Sequence, residues 1–304
     1  MARRTKRGGS EPRFGGDWTE RKLDIVASYL RAYTTALRNT TFEKLYVDAF
    51  AGTGYRGARR EDEGAPTTSA LLLPDLAHAE PQALLEGSAR RALATDPRFD
   101  RYVFIERGAN RCAQLEKLRT DFPAFAGSIE IRQGEANAEI QSLCAGDWRT
   151  RRAVLFLDPY GMQVEWATIE AIARTQAIDL WILFPLGIGV NRLLTKSGDI
   201  PGPWRRRLDL LLGTGDWYDE FYAIETSPTL FGGEEERVVK ASTATIGKYF
   251  LRRLESVFAG IAPAPAVLRN SRKVPLYLLC FAVGNARGRD IALRIANHLL
   301  KEVS

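Results

Sequence analysis

Histidine and cysteine are the scarcest useful residues in this 304-residue chain, and their scarcity removes whole classes of chemistry. The only histidines, His78 and His298, stand far apart, so a histidine-based metal centre or catalytic triad is not expected. Cys112, Cys144 and Cys280 are odd in number and lack metal-ligand spacing. They read as reduced core thiols of a cytoplasmic protein. Long apolar runs are missing too. None approaches the ~18 residues of a membrane span, and the longest are broken by Asp179 or stopped by Pro185. The N-terminus is basic with no apolar core behind it, so it does not read as a secretory signal.

What remains is an ordinary globular composition with 45% hydrophobic residues, ample for a well-buried core. The net charge of +6 permits a polyanionic partner without demanding one. Arg3, Arg4, Lys6, Arg7 and Arg13 crowd the start beside Gly8, Gly9, Gly15 and Gly16. Residues 1–16 therefore read as a flexible basic arm suited to phosphate contacts, with a plain solvated terminus as the alternative.

Periodicity predicts a helix from Asp17, where Asp17-Trp18-Thr19-Glu20 has capping-box spacing and Leu23, Val26, Leu30, Tyr33 and Leu37 form an apolar face. Strands are expected at 45–50, 101–106, 128–133, 153–158 and 179–184, alternating with helices near 87–93, 110–119, 135–143 and 165–174. That alternation implies an α/β, doubly wound, mostly parallel sheet. Two strand-like runs, 266–270 and 276–283, lie close together and suggest a C-terminal antiparallel hairpin. The whole is the Rossmann-like class I methyltransferase architecture, with 17–304 as a single domain. Insertions are expected at about 55–81 and 191–240, the second helical. It carries Trp204-Arg205-Arg206-Arg207, Trp217-Tyr218 and Phe221-Tyr222, which read either as a nucleic-acid channel or as helix packing around Leu208, Leu211 and Leu212. Arg149, Arg151 and Arg152 are expected at the sheet's other end and functionally silent.

In an open parallel sheet, ligands bind beyond the carboxyl ends of the strands. Val47-Asp48-Ala49-Phe50-Ala51-Gly52-Thr53-Gly54 runs from a strand into a glycine loop. Gly52 and Gly54 would let backbone approach a ligand, and Asp48, beside Phe50, would hold a positively charged group. Glu106 ends the next strand, where a carboxylate can accept from both ribose hydroxyls. Glu135 and Asn137 follow the third strand, placed to meet an adenine edge. Gly87 and Ser88 are expected to open a helix whose free amides contact the ligand. Taken singly, Glu106 is also a solvated strand end and Glu135 a dipole-favoured helix start. Together they point to S-adenosyl-L-methionine. A nicotinamide dinucleotide is disfavoured. Gly57 completes Gly-x-Gly-x-x-Gly, but Ala58-Arg59-Arg60-Glu61 opens no amphipathic helix and Glu106 lies too far along.

Asp158-Pro159-Tyr160-Gly161 ends the fourth strand. Exocyclic amines of nucleobases are weak nucleophiles, because their lone pair is delocalised into the ring. Asp158 and the Pro159 carbonyl could accept both amine hydrogens and stabilise the developing charge, while Tyr160 offers a stacking face. The alternative is an Asp-Pro turn with Tyr160 in the core.

These segments, with Gly134-Glu135-Ala136-Asn137 and Phe184-Pro185-Leu186-Gly187, resemble over nearly the full length the three-Cys-motif partner protein family (TcmP). That resemblance implies a methyltransferase-like fold and a partner, a radical-SAM-like protein with a three-cysteine motif; the cysteines here are not that motif. The Asp158 tetrapeptide also looks like the Asp-Pro-Phe-Gly of tRNA guanine amino-group dimethyltransferases. It lacks the second proline of the Asp-Pro-Pro-Tyr found in adenine and cytosine amino methylases, which leaves the base open. Glu135 stands where aspartate is commoner. The expectation is a methyltransferase acting on RNA or DNA, with a non-catalytic accessory protein as the alternative.

Overall fold

The computed structural model describes residues 17–51, 80–159, 161–228, 234–270 and 272–302. The basic arm, Gly52, Gly54, Tyr160 and nearly all of the first insertion lie outside the described residues.

Helix α1 (Asp17–Ala36) leads into β1 (Glu43–Ala49), and α2 (Glu80–Leu93) precedes β2 (Arg101–Glu106). Then follow α3 (Ala109–Asp121), β3 (Ile129–Gln133), α4 (Ala136–Cys144), β4 (Arg151–Leu157), α5 (Trp166–Arg174) and β5 (Ile178–Phe184). Each strand begins at or within a few residues of its predicted start. Burial on both faces makes the central runs Ala153–Leu157 and Leu180–Phe184 continuously apolar, while the edge strand β3 is only partly buried.

The strand order is β3-β2-β1-β4-β5, all parallel, followed by β10 (Pro275–Val283) antiparallel to β5. β8 (Gly260–Ile261) and β9 (Ala266–Arg269) pair with successive parts of β10 as one interrupted edge strand. The predicted C-terminal hairpin is therefore present. Five parallel strands whose sequence order reverses between β1 and β4, closed by an antiparallel strand, make this an α/β Rossmann-like class I methyltransferase fold.

Side chains alternate along each strand, so the sheet separates two cores. Leu45, Val47, Ala49, Leu155 and Leu157 face α4 and α5. Tyr46, Phe104, Val154, Phe156 and Trp181 face α1, α2, α3 and the final helix α9 (Arg289–Lys301). Tyr29 of α1 meets Trp181 of β5 edge-on at 5.4 Å and Phe281 of β10 at 4.8 Å.

The second insertion is helical only in its first half. α6 (Gly202–Leu212) and α7 (Trp217–Phe221) give way to a two-stranded ribbon, β6 (Tyr222–Pro228) and β7 (Glu234–Lys240), before α8 (Thr243–Glu255). Its aromatics are packing residues for the most part. Trp217 and Phe221 are fully buried, and the Trp217 indole N–H donates to Asp209 at 2.8 Å. Arg205, Arg206 and Arg207 remain exposed, with the Arg205 guanidinium over the Tyr218 ring at 4.9 Å. Among the described residues no helix is long and apolar enough to cross a membrane, and no cluster of His, Cys, Asp or Glu could hold a metal ion.

Candidate functional site

The order reverses between β1 and β4, and at that point the strand ends leave a crevice between diverging connections. Asp48 lies opposite Phe156 in the β1–β4 register and Phe104 in the β1–β2 register. The two-residue repeat then puts Asp48 on the face of Tyr46 and Phe156, and directs Asp158, two residues past Phe156, the same way. That face is covered by α1.

The side chain α1 delivers there is Lys22. It occupies the helix's buried stripe with Val26, Tyr29 and Tyr33, positions four, seven and eleven residues on. Its Nζ bonds Asp158 Oδ2 at 2.5 Å, with the lysine side chain 1% exposed and the aspartate 12%. Among the described residues no group donates to the other oxygen, Oδ1. Asp48 is almost completely buried beside them, taking hydrogen bonds from Ser88 and from the Tyr46 hydroxyl at 3.3 Å. Burial, reinforced by the Asp158 charge, pushes Asp48 up to about 7 against the opposing pull of Ser88, Tyr46 and Lys22. Two carboxylates and one ammonium leave one net negative charge when both acids are ionised.

Glu106 closes β2 at 5% exposure, so it is not a solvated strand end. Its Oε1 accepts from the Gly108 N–H at 2.6 Å and lies 3.4 Å from Arg111 Nε. Phe50, just past β1, has φ +90°, a conformation that costs a non-glycine residue roughly 1–3 kcal/mol and clusters at functional sites. Pro159 is buried, and Gly161 completes the turn at φ +81°, where a side chain would be strained.

Other expectations need correction. Gly87 and Ser88 do not open their helix: α2 starts at Glu80, so their amides lie in its interior. Gly87 instead lets α1 close in, since a Cβ there would stand 2.6 Å from Leu23 Cδ1. Ser88 contributes its hydroxyl to Asp48 rather than an amide to a ligand. Asn137 is a brace. Its amide group donates to Gln163 O and Glu135, and accepts from the Glu165 N–H and the Thr168 hydroxyl, which spends its hydrogen-bonding capacity inside the protein. Glu135 caps α4 through the Ala138 N–H at 3.0 Å. Lys22 and Tyr46 were not anticipated. The available signal was a lysine in the apolar stripe of α1, where an unpaired charge would be costly.

No family model matches the chain, and no curated protein matches it. Solved structures similar to it include protein LPL1258 from Legionella pneumophila, at 11% identity over 95% of this chain and 93% of that one, with a TM-score of 0.47. Others are a putative methyltransferase, yhhF, from Escherichia coli (12% identity, 71% and 86% covered, TM-score 0.28) and the plantazolicin methyltransferase BamL (8%, 87% and 85%, 0.35). At these values the likeness carries no argument about the site, and the fold assignment rests on strand order and direction.

Proposed function

We infer that the protein is an S-adenosylmethionine-dependent methyltransferase acting on an exocyclic amino group of a nucleobase in RNA or DNA. The observation carrying this reading is the buried Asp48–Asp158–Lys22 cluster at the reversal point of a methyltransferase-type sheet. Its single net negative charge fits a cationic cofactor, and Glu106, one strand over, fits a ribose diol.

When bound, S-adenosylmethionine would supply an electrophilic methyl group on a positively charged sulfur. Asp48 and Glu106 would hold it, with the loop of Phe50, Gly52 and Gly54 alongside. Asp158 Oδ1 and the Pro159 carbonyl accept the two hydrogens of the target amine, orient its nitrogen, and stabilise the charge that develops there. Lys22, on Oδ2, fixes the carboxylate's rotamer and keeps the carboxylate pair from repelling. Tyr160 stacks on the base, and the arginines of α6 and the basic arm contact phosphates.

Incubation with radiolabelled methyl donor and total nucleic acid, with and without nuclease, tests this. Nuclease-sensitive label is expected. No label in any fraction, even with a three-Cys-motif radical-SAM-like partner added, gives way to the second reading, an accessory protein of the TcmP type. One observation favours that reading: Lys22 already occupies one oxygen of the carboxylate that would hold the amine.

A further inference from the structure

At the opposite, amino-terminal end of β4 and β5 lies an open pocket of about 1030 Å³. Its walls are the carboxyl ends of α4 and α5, the segment after α8 and the turn after β10. Four arginines line it, Arg149, Arg152, Arg174 and Arg287, and no carboxylate side chain does. The cluster expected to be silent thus joins two arginines from distant parts of the chain.

Some of that charge has structural work. Arg152 donates to the carbonyls of Trp148 and Arg151 and stacks on Phe42 at 3.9 Å. Arg149 chelates Asp147, two residues away. Arg174 ends α5, 3.8 Å from Glu170, where a cation suits the helix dipole. Arg287 has no such duty: it is exposed, and its guanidinium makes no ion pair among the described residues. Trp148, on the same wall, is 8% exposed, and its indole N–H finds no acceptor among the described residues. A buried donor left unpaired is uncommon in a settled interior. Phe258 and Val257 add an apolar side.

We propose that this pocket binds a nucleotide through its phosphate, remote from the crevice, with Arg174 and Arg287 on the anion and the apolar wall against the base. Arginine matches phosphate through its planar fork of donors, and with no acid side chain in the wall the guanidiniums outweigh the partial negative charge of the two helix carboxyl ends. The proposal does not rest on the methyltransferase reading. The nucleotide is either free or part of a strand.

Labelled uridine monophosphate and a labelled single-stranded oligonucleotide, each titrated with excess methyl donor present, distinguish the two. Equal affinity for both probes identifies a free nucleotide. Tighter binding of the oligonucleotide identifies a strand. In either case the double variant Arg174→Gln/Arg287→Gln binds at least tenfold more weakly, with the thermal unfolding midpoint unchanged. Both substitutions are on exposed side chains, so the fold is retained. For a strand, the salt slope also falls by about 1.4, from two lost contacts at about 0.7 each. No binding of either probe to the wild type, or equal binding by the double variant, overturns the proposal.

Discussion

At the carboxyl ends of the strands the buried charges are acids, Asp48, Asp158 and Glu106, answered by Lys22 and Arg111. At the amino ends the pocket wall carries four arginines and no acid, and the one buried carboxylate nearby, Asp179, is sealed by Tyr29 and Gly284. The backbone explains part of this division. Connecting helices run against the strands, so their positive amino ends face the first edge and their negative carboxyl ends the second. Glu135 capping α4 and Arg174 ending α5 are the expected responses. Lys22 runs against that trend, as a cation placed at the acid-rich edge. It offsets a carboxylate pair that the fold alone leaves uncompensated.

The sharpest test of that contrast is Asp158→Ala, expected to cut methyl transfer by about 10²–10³-fold, the loss typical of a deleted group that stabilises transition-state charge. Donor affinity by calorimetry should stay within a few-fold, and wild-type turnover would falsify the role. Removing the cation is next. Lys22→Ala should destabilise the fold by about 3–5 kcal/mol, because a buried carboxylate loses its partner. The double variant Lys22→Met/Asp158→Asn should recover much of that in denaturant titration; no recovery would show that the lysine stabilises through other contacts. Glu106→Ala should weaken donor binding by about 10–100-fold, the worth of one charged hydrogen bond. Unchanged affinity would detach the second strand from the site.

The pH dependence of the two ends differs in kind. Asp48, pushed up to about 7, is mostly neutral below that pH, while a cationic ligand favours its ionised form. Donor affinity should therefore rise by up to about tenfold per pH unit approaching 7 and level off above it. In Asp48→Asn that slope should vanish, and a surviving slope would assign the proton elsewhere. The smallest effect belongs to Asp179, raised to about 6 by burial against the Tyr29 and Gly284 hydrogen bonds. Its folded value exceeds its unfolded one, so the stability it confers is complete below about pH 4 and is lost as pH climbs through about 6. Asp179→Asn should flatten that part of the melting-temperature profile.

The sheet is readable because buried parallel strands are short apolar runs with sharp polar ends, as Ala153–Leu157 illustrates between Arg152 and Asp158. The ribbon is not, because neither strand buries a face. Ile224 and Val238 are exposed beside Glu225 and Arg237, so no apolar face alternates with a polar one. Strand-end acids could be located but not their commitments. Asn137 and Glu135 look alike in sequence as ligands or as local braces, and only the positions of Gln163, Glu165 and Thr168 decide. Gly87 reads as a helix start because the first turns of α2, from Glu80, form a polar stretch with weak periodicity.

The resting place of α1 also ties the charge balance of the site to a distant part of the sheet. Its buried side rests on Trp181 of β5, Phe281 of β10 and α9, while Lys22 of the same helix pairs with Asp158 beyond β4. The cation is thus seated by contacts that neither acid makes, and a change at Phe281 would reach the carboxylates through the helix alone.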